Sequence, residues 1–217
     1  MKSAQQLVDE LAQKRQQDPV PNQLLDVAES GELTGDQLRG LVRTESQCHH
    51  TELPAYGAML SRFAHRPAED FYIELIDLMH ECGPKLDAVA EALGLSRQEK
   101  DQWMWPSDRR AYSCNGILSW ITARGSQTAT ALAVHTDMSV YFPGCVDLVA
   151  SIREHGVDAP EEFLTYYEGD PCAGTRRKAL EVAQDGLDRG DDPREALLMA
   201  RLLEESFADF WASAAAA

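Results

Sequence analysis

The chain has 217 residues, with 36 Asp or Glu against 20 Lys or Arg and a formal charge of −16. That length supports one substantial core, and a hydrophobic share of 44% marks a globular protein, not a disordered one. So acidic a surface repels polyphosphate and anionic headgroups, which disfavours nucleic acid and membranes as partners.

Residues 3–16 carry Leu7 and Leu11 on one face behind Ser3, the pattern of a capped amphipathic helix. "DPVPNQ" ends it, because neither proline continues a helix. A short helix, "QLLDVAESG", stops at Gly31. Thr34, with Gln37 three residues on, forms a capping box that starts a helix through Leu38, Leu41 and Val42. Pro54 is expected to kink or restart it before "AYGAMLSRFAH".

Ala68 to Leu93 has helical periodicity, with a kink expected at Pro84, and "LSRQEKDQW" follows behind Ser96. "WPSDRRAYS" reads as loop. Asn115–Arg124 and Gln127–Val140 read as buried helices, "FPG" as a break, and "CVDLVASIREHG" as a new helix. Helices over "APEEFLTYYEG", Thr175–Arg189 and Pro193–Ala212 complete the chain. Period-two alternation is nearly absent, so no sheet is expected.

The fold expected is all-α: one helical bundle of seven to nine helices over residues 1–217. Residues 1–20 are read as an N-terminal extension helix and 213–217 as a disordered tail. The five cysteines are widely spaced, without a C-x-x-C pair, which argues against a zinc ribbon or a disulfide framework. "MKSAQQLVDELAQKRQQ" lacks a signal-peptide core, and no run approaches the roughly 20 apolar residues of a membrane span. A cytoplasmic location is the expectation.

Two stretches concentrate polar chemistry. In "ESQCHH", Glu45 and His49 lie one turn apart and share a face, whereas His50 points about 100° away, so the two histidines cannot ligate one metal on a straight helix. A solvated Glu–His contact is the ordinary alternative. In "EDFYIELIDLMHECGPK", Glu74, Asp77, His80 and Glu81 share one face over two turns. Acids buried in a bundle need a cation or donors, and di-iron bundles use Glu and Glu-x-x-His sets of this kind. A polar outer stripe is the competing reading. His135 and Asp137 occupy an apolar context but face different ways. Tyr141 could donate to a ligand, and "EESFADFW" sets Glu204 and Glu205 beside Phe207, Phe210 and Trp211.

Taken together, "LLDVAESGELTGDQLRGLVRTESQ", "IELIDLMHECGPKLDAVAEALGLS", "IREHGVDAPEEFLTYYEGD" and "EESFADFW" resemble the heme-oxygenase-like superfamily. Within it the chain is most similar to the TenA/PqqC group and related iron-dependent oxidases, over most of residues 20–212. The resemblance implies a heme-oxygenase-like bundle with an internal pocket. Glu45 falls where TenA-like proteins keep a substrate-contacting acid, and Glu74 where the oxidases keep a metal-binding glutamate. Glu81 falls near their next histidine. "YYEGDPCAG" keeps Asp170 of their H-x-x-x-D-x-x-H helix but has Tyr166 and Ala173 in place of its histidines. The stretch "AVHTDMSVY" has no cysteine where the thiaminase cysteine would stand.

The resemblance therefore implies a small-molecule enzyme, an oxidoreductase, acting on an organic substrate inside the bundle. A binding or accessory protein that has lost its metal site and a TenA-like aminopyrimidine/thiamin hydrolase are the alternatives. The expected catalytic groups are Glu45, Tyr141 and Glu205, with His49, His135 and Tyr167 joining Glu45 at the substrate. Glu74, His80, Glu81 and Asp170 are the expected ligands of an iron, if a metal is used at all. A small-molecule substrate is the expected partner, and a homodimer is compatible with this reading.

Overall fold

The computed structural model describes residues 2–217, and among them there are α-helices and short 3-10 turns but no strands. In chain order the helices are α1 (Ala4–Gln17), α2 (Gln23–Glu29), α3 (Gly35–Arg62), α4 (Ala68–Ala92), α5 (Lys100–Trp103), α6 (Ser113–Arg124), α7 (Gln127–His155), α8 (Glu161–Tyr167), α9 (Ala173–Asp188) and α10 (Pro193–Ala215). Among the described residues the α-helices number ten, one of them the single turn of α5.

The helix starts follow from local chemistry. Ser3 accepts from the Gln6 backbone N–H at 3.3 Å while Gln6 reaches back to the Ser3 N–H at 2.8 Å. Thr34 and Gln37 repeat this at α3, and the Gln37 amide also donates to the Ala215 carbonyl at 2.8 Å, tying the start of α3 to the end of α10. Asp192 caps α10, with Pro193 at its first turn.

The break expected at "FPG" is absent, and neither Pro54 nor Pro84 interrupts its helix. α3 runs through Pro54, α4 through Pro84 and α7 through Pro143. An internal proline removes one backbone bond and costs about 3 kcal/mol. All three prolines are exposed. Two of the carbonyls they leave without a helical donor belong to His50 and His80, which are themselves exposed to water. The packing of the long apolar faces outweighs the loss. Nor is there a disordered tail at 213–217: α10 continues to Ala215, with Ser213 and Ala214 buried. Gly40 makes that docking possible, because a Cβ there would lie 2.7 Å from the Ala214 carbonyl oxygen.

α7 packs most extensively against α10 and α9, and α3 against α4, with α10 and α6 next. α1 belongs to the bundle, burying Ala4, Leu7 and Leu11 and pairing Arg15 with the buried Glu204 at 2.7 Å. One hydrophobic cluster gathers Phe71, Tyr72, Leu132 and Val182; the other gathers Leu41, Phe163, Phe210 and Trp211. Both contribute wall residues to one cavity that opens to the surface, Tyr56 and Leu75 from the first, Tyr167 and Phe207 from the second. The site therefore lies where the two halves of the core meet.

Candidate functional site: an acid-lined aromatic cavity

The cavity has a volume of about 930 Å³ and is walled by α3, α4, α6, α7, α8 and α10. Helical spacing explains which side chains reach it. On α3, Glu45, His49, Glu52 and Tyr56 recur every three or four residues and share the inner face. On α7 the same spacing presents Asp137, Tyr141 and Cys145, and on α10 it presents Leu203, Phe207 and Phe210.

Glu45 is the best-held acid in this wall. The Tyr166 hydroxyl donates to its Oε1 at 3.0 Å, and the buried Tyr167 hydroxyl donates to its Oε2. His49 Nε2 lies 3.3 Å from the Tyr166 hydroxyl and 3.7 Å from Glu45 Oε1. Burial works against a charge on His49, but the hydrogen bond and the charge of Glu45 outweigh it and raise the imidazole pKa.

Two further acids, Glu52 and Asp137, reach the cavity without a donor from the protein. Both are half-buried, and both line the cavity wall. Burial pushes the Asp137 carboxyl well above the usual carboxylate range, and the charge of Glu52 adds to it. Burial also raises Glu52, reinforced by Glu45 and opposed by His49. Cys48, Cys82, Cys114 and Cys145 line the same space, and burial raises each thiol, Cys114 to about 12. These thiols stay protonated at neutral pH.

The rest of the wall is aromatic. Tyr141 stacks on Trp211 with 6.1 Å between centroids and 10° between planes, and it meets Phe142 and Phe210 edge-on. Its hydroxyl is buried without a hydrogen-bond partner. Acids outnumber cations at the wall: Glu161, Glu162 and Asp170 join the three interior acids, against Lys85 and His49.

Of the residues expected from the sequence, Glu45, His49, Tyr141 and Tyr167 meet in this cavity, and Asp170 lies at its wall. Glu205 does not: it is exposed on α10 and bonded to Arg201 at 2.7 Å. Its neighbour Glu204 is buried but held by Arg15 and Arg201, which makes it structural. His135 is buried outside the cavity wall, beside Ser139.

The expected iron ligands are likewise not brought together. Glu74 is paired with Lys178 and accepts from Thr175 at 2.9 Å. His80 and Glu81 are exposed on α4, and Asp170 is engaged by Arg176 at 2.8 Å. The reason is helical phase: the inner face of α4 is set by Leu75, Leu78, Met79 and Cys82, which turns Glu74, His80 and Glu81 away. Among the described residues no group of three His, Cys, Asp or Glu side chains could hold a metal ion. The residues present do not fit the iron centre that the resemblance implied.

Glu52, Asp137 and Tyr166 were missed as site residues. A signal existed for two of them. Glu52 continues the Glu45–His49 stripe at the seventh position, and Asp137 is the one acid in the apolar first half of α7.

Fold and site together define an all-α helical bundle with an acidic, aromatic cavity. Among solved structures the chain is similar to a TenA homologue from Pyrococcus furiosus, with a TM-score of 0.71, 15% sequence identity, and coverage of 96% of this chain and 99% of that one. At that identity the likeness shows the fold, the one expected from the sequence. No family model matches the chain. No curated protein matches it either. No helix among the described residues is long and apolar enough to cross a membrane.

Proposed function

We propose that the chain is a TenA-like hydrolase acting on a small amino-substituted nitrogen heterocycle, of the kind released when thiamin or its breakdown products are cleaved. The observation that carries this reading is Glu45, fixed from one side by Tyr166 and Tyr167 and flanked by His49 in an aromatic cavity. A carboxylate held in place by two hydroxyl donors is a directional acceptor for an exocyclic amine or a ring N–H. Tyr141, Phe142 and Phe207 offer faces and edges for stacking a flat ring, and the acid excess favours a cationic or electron-poor one. The likeness of fold to a TenA homologue supports the same reading. Proton transfer is the chemistry these side chains supply.

The test is to incubate the purified protein with thiamin and with aminopyrimidine breakdown products, following release of pyrimidine by mass spectrometry. Release that falls about 100-fold or more in Glu45→Gln is the expected result. Release that survives this substitution overturns the reading. Saturable binding without release would instead make the chain a binding protein.

A further inference from the structure

Interior acids in this fold have partners, with two exceptions. Glu45 has its tyrosines and Glu204 its two arginines. Glu52 and Asp137 have neither a hydrogen bond nor an ion pair, only each other's charge and that of Glu45 and His49. Both are half-buried against the cavity wall with no donor from the protein, so burial penalises their charge in part, and the packing of this bundle gives no reason to place two acids there. They also stand on different walls. Glu52 comes from α3 and Asp137 from α7, both lining the cavity, and neither helix is a main packing partner of the other.

We infer that Glu52 and Asp137 form the proton-transfer couple of this cavity, Asp137 as the acid and Glu52 as the base, so that hydrolysis proceeds through water and not through a thiolate. The inference rests on the hydrolytic reading above and deepens it. In the step, Glu52 takes a proton from water as the water oxygen bonds to the substrate carbon. The C–N bond breaks, its electron pair stays on nitrogen, and Asp137 delivers the proton to that nitrogen. Transfer of a proton from Glu52 to Asp137 through a following water restores the couple.

The charge pattern assigns these roles. Burial and the charge of Glu52 raise the Asp137 carboxyl well above the carboxylate range and favour its protonated form, whereas at Glu52, which burial also raises, His49 opposes the rise. The other charged groups facing the pair are Glu45 and His49 on α3, Lys85 on α4, Glu161 and Glu162 on α8, and Asp170 just beyond it. α6 and α10 add no charge to the wall. The four cavity thiols, held protonated by burial, are not ready nucleophiles.

Two measurements test the couple. With a substrate that wild type turns over, the isosteric variants Asp137→Asn and Glu52→Gln are each expected to lower kcat about 100-fold or more. The profile of kcat/KM against pH should lose its alkaline limb in Asp137→Asn and its acid limb in Glu52→Gln, while circular dichroism stays unchanged. Near-wild-type turnover in either variant, with Glu45→Gln inactive, removes the couple and leaves the hydrolase reading standing. Carboxyl carbon NMR of the free protein needs no substrate. One Asp signal titrating well above the usual range, absent in Asp137→Asn, is the expected result. A spectrum in which every carboxyl titrates in the ordinary range overturns the couple, even if no hydrolytic substrate is found.

Discussion

Tyr166 and Glu45 lie 121 positions apart in the chain, yet the tyrosine hydroxyl donates to the glutamate at 3.0 Å. That bond links α8 to α3 across the cavity wall. It also orders a relay. The Tyr166 hydroxyl donates its hydrogen bond to Glu45, so its lone pairs are free to accept from His49 Nε2, 3.3 Å away. The raised pKa of His49 is consistent with that donation.

Removing the two tyrosine hydroxyls should separate binding from stability. Tyr166 is half-buried on a short helix, so Tyr166→Phe is expected to leave the melting temperature nearly unchanged. It should weaken ligand binding about tenfold, as expected for the loss of one hydrogen bond to a charged group. Tyr167 is buried. Tyr167→Phe leaves one oxygen of Glu45 without its donor and should also cost about 1–3 kcal/mol of stability. Calorimetry for ligand affinity and thermal melting for stability measure the two effects.

Arg201 should be the most sensitive charged position outside the cavity. It is 6% exposed and binds Glu204, itself 0% exposed, together with Glu205 and Asp18. Arg201→Met leaves Glu204 buried with Arg15 as its one remaining partner, so the loss should fall below the roughly 3–5 kcal/mol of a buried charge stripped of every partner. Replacing Glu204 by Met in the same chain should recover part of that loss, because the half-compensated buried charge is then gone. Urea denaturation of the single and double variants reads both numbers.

The helix boundaries that local chemistry decides were legible in the sequence. Ser3, Thr34 and the Pro193 start behave as their capping rules require. What was not legible was decided by packing between distant segments. Pro54 read as a kink or restart, Pro84 as a kink and Pro143 as a break, but each sits on an outer face of a continuous helix whose inner face is held by the core. The cavity shows the same division. Glu45 and His49 are one turn apart and could be paired by spacing, whereas Tyr166 reaches them only through the fold. The acid-rich face of α4 misled for a related reason. Spacing says which side chains share a face, not whether that face is turned inward, and here apolar Leu75, Leu78 and Met79 hold the inner one.

Glu74 makes that distinction testable. Its carboxyl joins α4 to α9 through Lys178 and Thr175, with the pKa lowered against the opposing effect of partial burial. Both charged side chains are about one third or more exposed, at 34% and 42%, so water screens the pair and it contributes less than about 1 kcal/mol. Glu74→Gln should therefore shift stability slightly and leave turnover and ligand affinity unchanged. A large loss of activity, or metal bound by wild type and lost in the variant, would place Glu74 in a site that the geometry denies it.

His135 gives the fold a definite acid limb. Burial lowers its pKa to about 4, and the charges of Arg176 and Arg15 push the same way. In the unfolded chain a histidine titrates near 6.5, so between about pH 4 and 6.5 the unfolded state binds a proton that the folded state refuses. Stability therefore rises with pH through that window and is complete above it. Asp170 and Glu74, with lowered pKa values, also lose stability on acidification, but lower, as pH falls through the carboxylate range. Comparing wild type with His135→Gln by denaturation at several pH values isolates the histidine, because the carboxyl contributions cancel in the difference. The difference should change between about pH 4 and 6.5 and be flat above 7. A difference that is flat throughout would mean that His135 takes up its proton in the folded state as easily as in the unfolded chain.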